Sequence, residues 1–339
     1  MNINRIHISG FKSLLDVNMP MNKAKDEANV IIGPNGAGKT NVLLALRMLN
    51  QMHMSRLGPF VREHGGADKL ISFDADEIKI RIEMKDGPNE YKYKATFSRA
   101  YSDKENLQVK EECFRYCMDI EEKVDNSVIK KFLRNCNIYE FNARGIKIGM
   151  KLWDASDHKI LHPQGYNLSS VLGHLASEYK QTYKNINYQV SRLLPMFEEF
   201  HLHKKFNRSL TLKWKVKGNE RFFDENNTSD AAARLMALVT LLHLPKEMLP
   251  KLLLLDEVDK GLHPVAVELL GYMVQGLSRK VQVIVTTHSP DFVDLFPLHN
   301  ILVFNSYNGY TEYNEIHENP MGSMSTAELW QKNLIGGRP

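Results

Sequence analysis

The residues Gly33-Pro34-Asn35-Gly36-Ala37-Gly38-Lys39-Thr40 have the types and spacing of a phosphate-binding loop. Its glycines let successive backbone N–H groups converge on phosphate oxygens, and a helix starting at the loop adds positive potential. Lys39 is expected to neutralise the β- and γ-phosphate oxygens of ATP, and the Thr40 hydroxyl to ligate Mg²⁺. Asn35, Gly36, Ala37, Gly38 and Asn41 complete the expected nucleotide contacts. The context agrees with this: an apolar run, Asn29-Val30-Ile31-Ile32, precedes the loop, and apolar residues at helical spacing (Val42, Leu43, Leu46, Leu49) follow it.

Such a loop needs a second metal contact and a group that directs a water. Leu252 to Leu255 reads as a central strand ending in two carboxylates. Asp256 suits the Mg²⁺ shell, and Glu257 suits the general base. Many apolar strands end in acidic residues, so it is the intact loop upstream that gives this pair its meaning. Val281 to Thr286 is a second such strand, running into Thr287-His288-Ser289. Ligands of open α/β sheets sit beyond strand C-termini, so His288 is expected on the side of Glu257, able to bond the γ-phosphate. Thr228-Ser229-Asp230 precedes a helix; Ser229 reads equally as a plain N-cap or as a helix start facing phosphate.

The elements that must position these groups fall into three stretches. Asp76 to Phe97 alternates with period two around the turn Asp86–Asn89, an antiparallel hairpin with one buried face. Leu107 to Tyr116 reads as another strand and Asp119 to Asn135 as a short helix. Gly165 to Phe200 carries a helical pattern, at most a helical hairpin, and Leu210 to Lys217 alternates again. From Asp230 onward the order is helix, strand, helix, strand, with near-continuous apolar strands of the parallel, doubly covered kind. The P-loop strand and the last third are therefore expected to share one sheet.

Composition narrows the class. In 339 residues, 43% are hydrophobic and 25% charged, and the net charge is only +4, which permits nucleic-acid contact without demanding it. Cys113, Cys117 and Cys136 make neither a disulfide framework nor a zinc site, so free thiols are expected. The start Met1-Asn2-Ile3-Asn4-Arg5 lacks the basic and apolar regions of a signal peptide. No apolar run approaches the ~20 residues of a membrane span. A cytoplasmic location is expected.

Together the P-loop, the Ser-Asp helix start, the apolar strand ending Asp256-Glu257 and the strand-end His288 resemble the ATP-binding-cassette ATPases of the SMC, RecF and OLD type. Ile8-Ser9-Gly10-Phe11-Lys12-Ser13-Leu14 resembles their first strands. Asn167 to Leu172, Gly261-Leu262-His263-Pro264, Thr286 to Pro290, Glu328-Leu329-Trp330 and Gly336 to Pro339 resemble stand-alone bacterial ATPases of this class. The resemblance implies an α/β fold: an ABC-type P-loop ATPase head with a mixed, largely parallel sheet, an antiparallel β subdomain and a short helical insertion. The expected divisions are 1–160 (P-loop lobe), 161–225 (helical hairpin and basic strand) and 226–339 (lobe with Ser229, Asp256, Glu257 and His288).

The resemblance also implies a head-to-tail homodimer sandwiching two ATP molecules. Ser229 of one copy would face Lys39 and Thr40 of the other, with its cap position empty until ATP arrives. Ala231 departs from the family's glycine there, and its methyl crowds close approach to phosphate. Gln108 and Gln164 are candidates for the glutamine that couples the lobes. The implied function is an ATP-hydrolysing dimeric switch that acts on DNA or controls a separately encoded nuclease or toxin, in phage defence or genome maintenance. The alternative is an ATP-held scaffold that docks a protein, with hydrolysis incidental. For DNA, the residues of interest are Lys204, Lys205, Arg208, Lys213, Lys215, Lys217 and Arg221, set against the single acid Glu220 in 201–221. Such lysines equally protect a strand edge from aggregation.

Overall fold

The structure, a computed structural model, describes residues 1–21, 27–101, 103–117, 126–205, 209–316 and 324–337. It divides into two compact units: Met1–Ile138 with Lys251–Lys260 and Gln282–Pro339, and Tyr139–Pro250 with Gly261–Val281.

In the first unit, strands β1 (Asn2–Phe11) and β2 (Leu14–Pro20) precede β3 (Asn29–Ile32) and helix α1 (Lys39–His53). Short helices α2 (Leu57–Glu63) and α3 (Ala67–Leu70) lead to β4 (Glu77–Asp86), β5 (Asn89–Arg99) and β6 (Leu107–Cys117), then α4 (Asn126–Arg134) and β7 (Cys136–Tyr139). The expected helix from Asp119 thus starts at Asn126 among the described residues, with 118–125 lying outside them. One antiparallel sheet has the order β2-β1-β4-β5-β6. Its β4 buries Ile78, Ile80, Ile82 and Met84, as the period-two alternation requires.

The other sheet of this unit joins β3 and β7 to strands from the chain's end. Strand β12 (Leu252–Leu255) pairs in parallel with β13 (Gln282–Thr286), which pairs in parallel with β3. On its far side β3 takes β14 (Ile301–Tyr307) in parallel, and β14 takes β15 (Tyr310–Asn314) antiparallel. The P-loop strand and the last third do share one sheet. Every residue of β3, β12 and β13 is buried, which explains their unbroken apolar runs. Helices α10 (Pro290–Val293) and α11 (Thr326–Gln331) complete the unit.

One continuous apolar core, including Ile6, Ile80, Leu46, Ile31 and Leu254, joins both sheets to α1. The C-terminal end of α1 is pinned by polar contacts. Asn50 donates to the carbonyls of Leu133 and Arg134, and the buried His53 ring lies 3.2 Å from the Tyr93 hydroxyl, which donates to Glu112.

The second unit holds helix α5 (Ala143–Lys151), strand β8 (Trp153–Asp154), helices α6 (Leu168–Glu178) and α7 (Lys180–Leu193), and strands β9 (Phe197–Lys204), β10 (Ser209–Val216) and β11 (Phe222–Phe223). Helices α8 (Asp230–His243) and α9 (Pro264–Ser278) follow, and α8 is buried nearly all round, packing on α5, α7 and α9. The helical pattern expected to reach Phe200 stops at Leu193. Phe197 and Phe200, three apart, mimic helical spacing but are both buried in β9. Strand β10 pairs with β9 along its length, and with β8 and β11 at its two ends.

Candidate functional site

Buried β3 delivers the chain into the loop, and α1 begins at Lys39. Gly38 caps the helix in the left-handed region (φ 91°) with no side-chain hydrogen bond, and a Cβ there would collide with the hydroxyls of Thr311 and Ser13. Gly36 (φ 80°) stands at the exposed tip beside Asn35, while Ala37 is buried. Those two hydroxyls form a brace: Ser13 Oγ lies 2.8 Å from Thr311 Oγ1, and the Asn41 amide donates to Ser13 Oγ at 2.8 Å. Asn41, expected at the nucleotide, spends its amide on this brace.

The Lys39 ammonium lies inside the loop, donating to the carbonyls of Gly33 (2.8 Å) and Pro34 (3.0 Å). Burial lowers its pKa to about 8, against the opposing pull of Glu257, Asp256 and Asp259. One residue on, the Thr40 hydroxyl donates to Asp256 at 3.1 and 3.2 Å. Asp256 also accepts from the buried Thr286 hydroxyl at 2.5 Å, whose oxygen in turn accepts the Glu257 N–H at 2.9 Å. Burial raises the Asp256 pKa, and the two hydroxyl donors work against it.

Glu257 stands on left-handed backbone (φ 45°), a conformation that few non-glycine residues adopt. Its carboxylate accepts from Lys260 at 2.7 Å and lies 3.8 Å from His288 Nε2; the Lys260 hydrogen bond is the main reason its pKa is lowered. His288 is also lowered, by burial first and then by Lys39, so it is neutral at pH 7. The His288 backbone N–H donates to Asp259 Oδ2 at 3.4 Å, while the buried Asp259 Oδ1 has no partner among the described residues.

Lys39, Thr40, Asp256, Glu257 and His288 therefore converge within one unit. A hydroxyl and a carboxylate within hydrogen-bond distance supply the hard oxygen ligands that Mg²⁺ takes, and left-handed glycines shape a loop that phosphate can enter, so the residues fit ATP and Mg²⁺. Ser229 is in the other unit, at the start of α8. Its Oγ accepts the Ala232 N–H at 3.2 Å, so the cap expected to be empty is filled by its own helix. Asp230 pairs with Lys147 at 2.6 Å, and Ala231 is exposed.

Three contributors escaped the sequence reading: Ser13, Thr311 and the hydroxyl of Thr286. Gln108 donates to Ser98 on the neighbouring strand β5. Cys113 and Cys136 are free thiols, the Cys117 side chain lies outside the described residues, and among those residues no group of three or more His, Cys, Asp or Glu side chains is placed to hold a metal. No helix among them is long and apolar enough to cross a membrane.

The basic strand differs from expectation in its neutralisation. Strand β9 brings an acid that lies just outside the basic window: Lys215 pairs with Glu198 (3.4 Å) there as well as with Glu220 (3.7 Å). Lys217 lies past the end of β10, and Arg208 lies outside the described residues.

The family described as "AAA domain, putative AbiEii toxin, Type IV TA system" matches residues 28–294. The DNA replication and repair protein RecF of Shewanella piezotolerans is 32% identical over 92 residues, a match spanning 27% of this chain and 23% of the relative. The SMC head bound to the C-terminal winged-helix domain of ScpA superposes with a TM-score of 0.64 at 16% identity, over 92% of this chain and 97% of that one. The SMC head domain from Thermotoga maritima gives 0.53 at 16% identity, over 94% and 100%. With its family match running from the P-loop strand past His288, the chain belongs to that AAA family, and its fold is shared with SMC heads.

Proposed function

We propose that this protein binds ATP with Mg²⁺, hydrolyses it at a site completed by a second copy of the chain, and uses the cycle as a switch on DNA or on a separately encoded effector. The observation supporting this most is the Thr40–Asp256 contact at 3.1 Å beneath the loop, with Glu257 and His288 3.8 Å apart at neighbouring strand ends. Lys39 and the loop amides from Asn35 to Gly38 hold the β- and γ-phosphates, while Thr40 and Asp256 hold the metal. Bound Mg²⁺ supplies charge neutralisation on the phosphate oxygens.

Glu257, ionised by its lowered pKa, accepts the proton of the attacking water. The water oxygen bonds to the γ-phosphorus as the bond to the bridging oxygen breaks, giving ADP and phosphate. His288 contacts the γ-phosphate and responds to its loss. Ser229 of the second copy exchanges its Ala232 N–H for that phosphate, closing the dimer.

The relatives suggest the output. One relative's name speaks of DNA replication and repair, the family description of a toxin system, and one of the SMC heads was solved with a protein partner bound. Phage defence or genome maintenance in the cytoplasm fits all three. An ATP-held scaffold is the second reading, favoured by the filled Ser229 cap and by Lys260 sitting on Glu257.

Glu257→Gln separates the two. A cycling switch loses turnover and its biological output changes with it, whereas a scaffold keeps its output. Wild-type turnover by that variant removes the role given to Glu257.

A further inference from the structure

On the outer face of the β9–β10 sheet, side chains follow from the pairing register. His203 stands opposite Thr211 and His201 opposite Lys213, while Phe222 on β11 stands opposite Lys215. Leu210, Leu212 and Trp214 alternate with these onto the buried side, so the three rings share the exposed face with Lys213. They form a row: His203 and His201 centroids are 4.4 Å apart, and His201 and Phe222 centroids 4.8 Å.

Lysines surround that row. A cavity of about 400 Å³ is lined by Lys151, His203, Lys204, Lys205 and Lys213, and also by Asp224 and Glu225. Asp224 is occupied in its own turn, accepting the N–H groups of Asn226 and Asn227. A second cavity, of about 680 Å³, shares Lys204 and Lys205 and contains a stacked imidazole pair, His158 and His174, 4.2 Å apart. Among the described residues Lys151, Lys204, Lys205 and Lys213 have no ion pair, unlike Lys215.

The local field is positive. The His203 pKa is lowered by burial first and then by His201, Lys213 and Lys205. The neighbouring ammonium groups disfavour the charged form of the His203 imidazole, which offers its π-face within a basic rim.

We propose that this face binds single-stranded nucleic acid, with bases stacked along His203, His201 and Phe222 and phosphates held by Lys204, Lys205 and Lys213. The inference rests on the reading that the protein acts on DNA, and it names the form taken. A duplex hides its base faces in its own stack and offers these rings nothing, whereas an unpaired strand exposes both base faces and phosphates. Alternate residues of a strand recur every ~7 Å, close to the phosphate repeat of an extended nucleic-acid chain.

The test is fluorescence anisotropy of the full chain with labelled oligothymidylate, oligouridylate and a mixed-sequence duplex, each roughly twenty units long. Either single strand should bind at least about tenfold tighter than the duplex, since each ring stacked on a base is worth roughly five- to a hundredfold. His201→Ala with His203→Ala should lose at least about tenfold on the single strand and leave the salt dependence unchanged. Lys204→Gln with Lys213→Gln should flatten that dependence. Each single His→Ala variant, checked by thermal melting, stands in if the double does not fold. Duplex binding as tight as single-strand binding, no binding at low salt, or indifference to the histidines overturns the proposal. Repeating the titration with Lys39→Ala protein keeps the outcomes apart. Failure of single-strand binding by wild-type protein with normal ATP turnover defeats this inference only. Single-strand binding by wild-type protein that shows no turnover defeats only the ATP cycle, and Lys39→Ala protein should keep single-strand binding while losing turnover.

Discussion

Thr286 is the most informative single position in the site. It is fully buried, and its hydroxyl donates to Asp256 at 2.5 Å while accepting the Glu257 N–H at 2.9 Å. Thr286→Val replaces it with a side chain of nearly the same shape, so no cavity opens. What goes is a hydrogen bond to an ionised carboxylate, worth about 1.5–3 kcal/mol, and the partner of an N–H, costing about 1–3 kcal/mol when left unmade. The two share one hydroxyl, so the total destabilisation is about 2–5 kcal/mol rather than the sum of the extremes. At about 2–4 °C per kcal/mol, the melting temperature falls by on the order of 10 °C. The Asp256 pKa also rises further and the Glu257 backbone loses its anchor, so ATP turnover falls more than tenfold. Thr286→Ser restores both hydrogen bonds, and losing one methyl costs only about 1 kcal/mol. Calorimetry with a coupled ATPase assay on the three proteins gives the answer. A valine protein within about 0.5 kcal/mol of wild type and with normal turnover refutes the idea that this hydroxyl ties the two carboxylates together.

Lys39, with its pKa lowered to about 8, is protonated below that pH and neutral above it, so nucleotide affinity should fall as pH rises through about 8. Lys39→Arg should bind without that fall, and a pH-independent wild type contradicts the assignment. His53 sits at the end of α1 with its pKa lowered to about 4, by burial first. The unfolded chain then binds the extra proton between the ordinary value of 6.5 and about 4, so stability is full above that window and is lost as pH falls through it. Acid titration of urea midpoints should show the loss, and His53→Gln should flatten it. Gly38→Ala places a methyl on left-handed backbone against Thr311 and Ser13, so it should abolish nucleotide binding in a calorimetric titration.

The site was legible in the sequence wherever its chemistry is written in consecutive residues. Gly33 to Thr40, Asp256-Glu257 and Thr287-His288 each sit at the end of a buried strand, and a four-residue apolar run announces such a strand. Ser13 and Thr311 were not legible, because their contact joins positions 298 apart and becomes visible only once β15 lies beside the loop. Thr286 was read as strand because its hydroxyl, unlike a glycine pattern, carries no local signature. Strand β9 was missed because Phe197 and Phe200 repeat at helical spacing. It is a strand because β10 pairs with it from Lys204 to Phe197. That same pairing supplied the acid Glu198 beside Lys215 and set His201 beside Lys213, neither of which a window of single-strand charge could show.

The central claim is that each ATP site takes Lys39 from one copy and Ser229 from another. Mixing Lys39→Ala and Ser229→Ala proteins tests it directly, since each alone builds only broken sites. In an equal mixture half the dimers are mixed, and each mixed dimer holds one intact site. Turnover should therefore return to roughly a quarter of wild type from two inactive preparations. A mixture no more active than its components, or full turnover by Ser229→Ala alone, contradicts a shared site.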